Sequence, residues 1–62
     1  MDDFMQGYMD AGNPDAPSPS ANRSHSYRHS FAVRRAEMVG KPINAAISRE
    51  RAAIALAKDF TA

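Results

Sequence analysis

Sixty-two residues with no cysteine confine the chain to one small domain, since a chain this short buries only about 60% of its unfolded surface. Neither a disulfide framework nor a thiolate metal cage can staple it, so stability must come from helix packing or from a partner. The formal net charge of +1 hides a division: residues 1–20 carry Asp2, Asp3, Asp10 and Asp15 and no basic residue, whereas residues 21–51 carry Arg23, Arg28, Arg34, Arg35, Lys41, Arg49 and Arg51 against two glutamates.

The pattern is that of an all-α mini-protein, with a short N-terminal helix, a Pro-rich linker and two longer helices forming a helical hairpin within the single domain 1–62. The first helix, over 1–12, can be capped by Asp2 or Asp3. Phe4 and Tyr8, with Met1, Met5 and Met9 beside them, recur at helical spacing until Gly12 supplies a stop. Residues 13–21 hold Pro14, Pro17 and Pro19 among small polar residues, which removes backbone donors and favours extended and turn conformations. This segment reads as a linker.

The second helix, over 22–39, starts at Asn22 or Ser24 as cap and ends at Gly40 with Pro42 just beyond. At roughly 100° per residue, Tyr27, Phe31 and Met38 fall on one stripe, with Arg34 at one edge and Arg28 and Arg35 at the other. Tyr27 and Phe31 then either pack on a neighbouring helix while the arginines reach out around the seam, or serve as stacking groups beside those cations.

The third helix, over 43–61, has Asn44 or Ser48 as cap and an alanine-rich body, Ala52-Ala53-Ile54-Ala55-Leu56-Ala57, of high helix propensity. Ile43, Ile47 and Ile54 share a stripe that Ala46, Ala53, Ala57 and Phe60 widen, and this face is the expected core. Glu50 projects near it, where an unpaired buried carboxylate would cost several kcal/mol. It is therefore expected at the rim or beside a partner, for which Arg34 is the candidate.

Catalytic chemistry finds little support. His25 and His29 stand four apart, a spacing that suits a shared metal, yet no cysteine, HExxH pattern or suitably spaced carboxylate completes a site. They are expected on the solvent face opposite Tyr27 and Phe31. Serines adjoin these histidines, but two or three short helices can hardly enclose a nucleophile, a base and an oxyanion site. Gly7, Gly12 and Gly40 fit turn or cap roles, and there is no glycine-rich phosphate loop. The expectation is a non-enzymatic protein without metal, cofactor or small-molecule substrate. No apolar run approaches the roughly 20 residues of a membrane span, and the acidic start is unlike a signal peptide. A cytoplasmic chain with no membrane partner is expected.

What remains is a basic segment with aromatics among its arginines, the groups a polyanion such as RNA can use. Gly7-Tyr8-Met9-Asp10-Ala11-Gly12, followed after a linker by Asn22-Arg23-Ser24-His25-Ser26-Tyr27-Arg28-His29-Ser30-Phe31, resembles the ribosome modulation factor family. Members of that family typically show a Gly-Tyr-x-Ala-Gly segment and, further on, an Asn/Arg/Ser stretch with a pair of aromatics one helical turn apart. Tyr8, Tyr27 and Phe31 take those aromatic places. The resemblance spans residues 4–38 and implies two short helices that bind the small ribosomal subunit and help inactive ribosomes pair in stationary phase. On that basis Arg23, Arg28, Arg34 and Arg35 would contact rRNA phosphates, and Tyr27 and Phe31 would pack or stack on bases.

The competing expectation is a small helical protein-binding regulator, of a kind that phages and mobile elements can carry as inhibitors. It would dock on a protein partner or form a homodimer through Ile43, Ile47, Ile54, Leu56 and Phe60, which present more apolar surface than one short helix can cover.

Overall fold

Three polar side chains mark where the helices begin. The computed structural model describes residues 2–61, and within them lie α1 (Asp3–Ala11), α2 (His25–Met38) and α3 (Ala45–Thr61). Asp2 accepts from Met5 N at 2.8 Å, Ser24 Oγ from Tyr27 N at 3.1 Å, and Asn44 Oδ1 from Ala46 N at 2.9 Å. Each satisfies a first-turn amide that has no partner within its helix. The all-α class is the one the sequence predicts, with Asp2, Ser24 and Asn44 as caps. Met1, which the spacing places beside Phe4 and Tyr8, lies outside the described residues.

The α2 stop follows from Gly40, whose φ of 78° lies where a Cβ is penalised. Lys41 N donates to Ala36 O at 3.0 Å and Gly40 N to Glu37 O at 3.1 Å, the paired bonds of a Schellman motif. Gly12 ends α1 differently, with right-handed φ and ψ and its N–H turned back to α1 carbonyls.

Both outer helices pack on α2, and no Cα of α1 comes within 8 Å of one in α3. The α1–α2 seam is the more extensive, which the sequence reading missed by placing the main pairing between the second and third helices. Gly7 is the reason. It is a mid-helix residue, neither turn nor cap, and a Cβ there would overlap the Tyr27 carbonyl oxygen and Ser30 Oγ. With Ala11 one turn later and fully buried, α1 presents a smooth strip that lets the two backbones approach closely. Tyr27 and Phe31 close around Ala11, and Ala16 packs on them from the linker.

On the other flank of α2, α3 presents Ser48, Ala52, Ala55 and Asp59, spaced i, i+4, i+7 and i+11, all buried or half-buried. Ile47 and Ile54 are 44% and 49% exposed, and Phe60 is 81% exposed. The expected isoleucine core is therefore on the outside. Asp59 explains this rotation of α3: its carboxylate accepts from His25 N at 2.7 Å and Ser26 N at 3.0 Å, capping α2 from another helix, and takes the Ser26 hydroxyl as well. Turning the isoleucines inward would remove Asp59 from those amides. Glu50 is exposed on α3, and Arg34 has a different carboxylate partner.

Candidate nucleic-acid interface

Tyr27 and Phe31 are 5% and 4% exposed, so neither ring offers a face to a base. Their one-turn spacing directs both toward α1, with ring centroids 6.1 Å apart. The Tyr27 hydroxyl donates to Asp10 Oδ2 at 2.6 Å, while Gln6 Nε2 donates to Asp10 Oδ1 at 2.7 Å. The Tyr27 hydroxyl, then Gln6, together with the charge of Arg23, hold the Asp10 carboxyl below the usual carboxylate range. The same hydrogen bond, with burial, pushes the Tyr27 hydroxyl up. These aromatics are packing residues of the α1–α2 pair. Met38, placed by spacing on their stripe, is exposed at the end of α2.

Two of the four arginines assigned to phosphates are occupied by the fold. Arg35 donates to three carbonyls, Ala11 O at 3.0 Å, Asn13 O at 3.0 Å and Ala16 O at 2.7 Å, with its guanidinium 4.7 Å from the Phe31 ring. It closes the C-terminal end of α1, where a cation is favoured, and pins the linker. Arg34 lies 4.9 Å over the Tyr8 ring, donates to the Tyr8 hydroxyl at 3.1 Å and stands 3.9 Å from Glu37. The Tyr8 hydroxyl in turn donates to Glu37 Oε2 at 2.6 Å, closing a triangle across the seam. Arg34 thus pairs with Glu37 in the α1–α2 tie and not with Glu50, the partner expected for it.

Arg23 and Arg28 remain near the start of α2. Arg23 is exposed, with its guanidinium 4.2 Å over the Tyr27 ring. Arg28 Nη2 sits 3.1 Å from His25 Nδ1. His25 in turn lines a hollow of about 210 Å³ with Arg51, Ile54, Ala55 and Lys58 of α3. At the start of α2, His25 thereby has Arg51 and Lys58 of α3 beside it in the hollow and Arg28 of its own helix at its Nδ1. Asp59 adjoins them, but both of its oxygens accept from the α2 terminus, first the Ser26 hydroxyl and then the two amides. These donors hold its pKa down.

The cations of this cluster make no ion pair: Arg34–Glu37 is the one salt bridge within 4 Å among the described residues. Helical spacing alone could not reveal the cluster, because Arg51 and Lys58 meet His25 through tertiary packing. His25 therefore lies in a cationic notch. His29 stands edge-on to Phe4, with centroids 6.5 Å apart, rather than on the solvent face expected for both. Among the described residues no group of three or more His, Cys, Asp or Glu could hold a metal ion.

The residues expected at a protein interface are largely open. Ile47, Ile54, Leu56 and Phe60 are exposed on α3 and Ile43, just before it, is half-buried. No described helix is long and apolar enough to cross a membrane. Comparison with protein-family profiles, with curated proteins and with solved structures gives no match for the chain.

Proposed function

We propose that the protein is a non-enzymatic, cytoplasmic RNA-binding factor that acts on the small ribosomal subunit. Its phosphate contacts are assigned to His25, Arg28, Arg51 and Lys58, with Arg23 beside them. The observation that carries this reading is the gathering of Arg28, Arg51 and Lys58, from two helices, around His25, with no salt bridge within 4 Å to any of the three cations. Guanidinium and ammonium groups free of carboxylate partners can replace the counterions of a nucleic-acid backbone, the main source of affinity for such a ligand. The resemblance to ribosome modulation factors supplies the kind of RNA. Gly7, Ala11, Tyr27 and Phe31, which carry much of that resemblance, form the seam of the α1–α2 pair and leave RNA contact to the surrounding cations.

The test is a binding titration against small-subunit rRNA across a salt series, for the wild type and Arg51→Ala. Each phosphate contact removed lowers the slope of log affinity against log salt by about 1, so the variant should bind more weakly and with a shallower slope. Affinity that ignores salt, or an unchanged slope in Arg51→Ala, would remove the site.

A further inference from the structure

Between the linker and the α1–α2 seam lies a cavity of about 520 Å³. Met9, Pro17 and Pro19 supply apolar lining, and Asp10, Asn13, Ser20 and Arg23 bring polar groups to it. A mainly apolar hollow with a few placed polar groups is the usual form of a small-ligand site. The linker wall is anchored at both ends. Arg35 donates to Asn13 O at 3.0 Å and to Ala16 O at 2.7 Å, and Arg23 N donates to Ser20 O at 3.2 Å.

The polar groups divide into one acceptor and two donors. Asp10 is held in its charged form, and each of its oxygens takes one donor, Gln6 Nε2 or the Tyr27 hydroxyl, so each keeps capacity for a second. Asn13 Oδ1 accepts from Asp15 N at 3.0 Å, and Ser20 Oγ accepts from Asn22 N at 3.3 Å. Among the described residues neither the Asn13 amide nitrogen nor the Ser20 hydroxyl proton is donated elsewhere. The cavity thus offers a carboxylate to a pair of donors, with N–H and O–H groups for an acceptor.

Among the bases, guanine alone carries that complement on its Watson–Crick edge. Its ring N–H and its amino group stand side by side, the spacing that suits the two oxygens of a carboxylate, and its carbonyl oxygen lies next to them. Adenine and cytosine place an acceptor nitrogen beside the amino group, and uracil flanks its one N–H with two carbonyls. Each of these turns a lone pair toward the carboxylate.

We infer that this cavity takes an unpaired guanine base of the bound RNA, read on its Watson–Crick edge by Asp10, Asn13 and Ser20. The inference rests on the RNA reading and adds base selectivity to it. Arg23 joins the two: exposed at the cavity, it keeps its phosphate role, so a nucleotide held there by its phosphate can place its base inside. Arg28, the residue after Tyr27, turns about 100° further round α2 toward His25, which continues the cationic track.

Fluorescence anisotropy tests it, with the full chain and oligoribonucleotides of equal length: all-uridine, uridine with one central guanosine, and the same with inosine, which lacks the amino group. The guanosine strand should bind about tenfold more tightly than the all-uridine strand, in the range of a bidentate base contact, and inosine should lose most of that gain. Asp10→Asn should erase the preference. Ser20→Ala, at an exposed side chain whose one recorded bond is to Asn22 N, should reduce it without loss of helical circular dichroism. Equal, salt-dependent binding of all three strands would overturn the cavity assignment and leave the RNA reading standing. Failure of every strand, and of small-subunit rRNA, to bind would overturn both. Guanosine monophosphate that binds as tightly as the guanosine strand would overturn the assignment to RNA in favour of a free nucleotide.

Discussion

Tyr27 donates its hydroxyl proton to Asp10 at 2.6 Å, joining the first turn of α2 to the last turn of α1 across the more extensive of the two helix seams. Because the bond favours a charged Asp10 and a neutral Tyr27, it makes stability depend on pH at both ends of the scale. Asp10 and Asp59 have folded-state pKa values below the ordinary carboxylate value of about 4. Their stabilising contributions are therefore present above that value and are lost as pH falls through the lowered folded-state values. Tyr27 is shifted upward, so its contribution is full below about pH 10 and is lost as pH rises through its higher folded-state value. Urea midpoints measured across pH should fall at both ends. Tyr27→Phe should abolish the alkaline loss and reduce the acid loss, leaving the part due to Asp59.

Gly7 gives the sharpest steric prediction. In an open helix, Gly→Ala stabilises by about 1 kcal/mol. Here the new methyl would overlap the Tyr27 carbonyl oxygen, which belongs to a helix backbone and cannot swing aside. Gly7→Ala should instead destabilise by about 1–3 kcal/mol, the usual range for overpacking. A denaturation midpoint equal to or above that of the wild type would show that α1 does not seat against α2 as described.

Arg35 and Arg51 should separate fold from binding. Arg35→Ala removes three hydrogen bonds to the end of α1 and the linker, so it should lower the thermal midpoint by several degrees. Arg51 is exposed and unpaired, and Arg51→Ala should leave the midpoint within about 0.5 kcal/mol of the wild type while weakening RNA binding. If Arg35→Ala were as stable as the wild type and lost RNA binding instead, the assignment of the two arginines would be reversed.

Asp59 is the polar tie of α3 to α2. Asp59→Ala should raise the amide exchange rates of His25 and Ser26 and loosen α3, whereas Ser24→Ala should cost about 1 kcal/mol through the lost local cap at Tyr27 N. Unchanged exchange at His25 and Ser26 in Asp59→Ala would contradict the cross-helix cap.

How much of this was legible in the sequence follows from where each cause lies along the chain. Helix ends were legible because their causes are local: Asp2, Ser24 and Asn44 bond amides two or three residues on, and the Gly40–Lys41 turn closes on α2 itself. The face α3 turns inward was not. Hydrophobicity selects Ile47 and Ile54, but the observed face is set by Asp59 reaching amides more than thirty residues away, and no local pattern announces such a partner. The basic character of α2 was equally plain. That Arg35 would bond carbonyls at the end of α1 while Arg51 joined His25 depends on the tertiary fold, so the site expected on α2 became one shared by α2 and α3. Gly7 and Ala11, four apart, did carry a readable signal of close helix packing, obscured by reading glycine as a turn residue.

Cosedimentation with purified small ribosomal subunits, at low and moderate salt, tests the central claim most directly, using the wild type beside an Arg28→Ala/Arg51→Ala/Lys58→Ala variant of unchanged helicity. The wild type should travel with the subunits at low salt and be released as salt rises, and the triple variant should stay at the top of the gradient under both conditions. A wild type that never enters the subunit fraction, or a triple variant that enters it as fully as the wild type, would contradict the account.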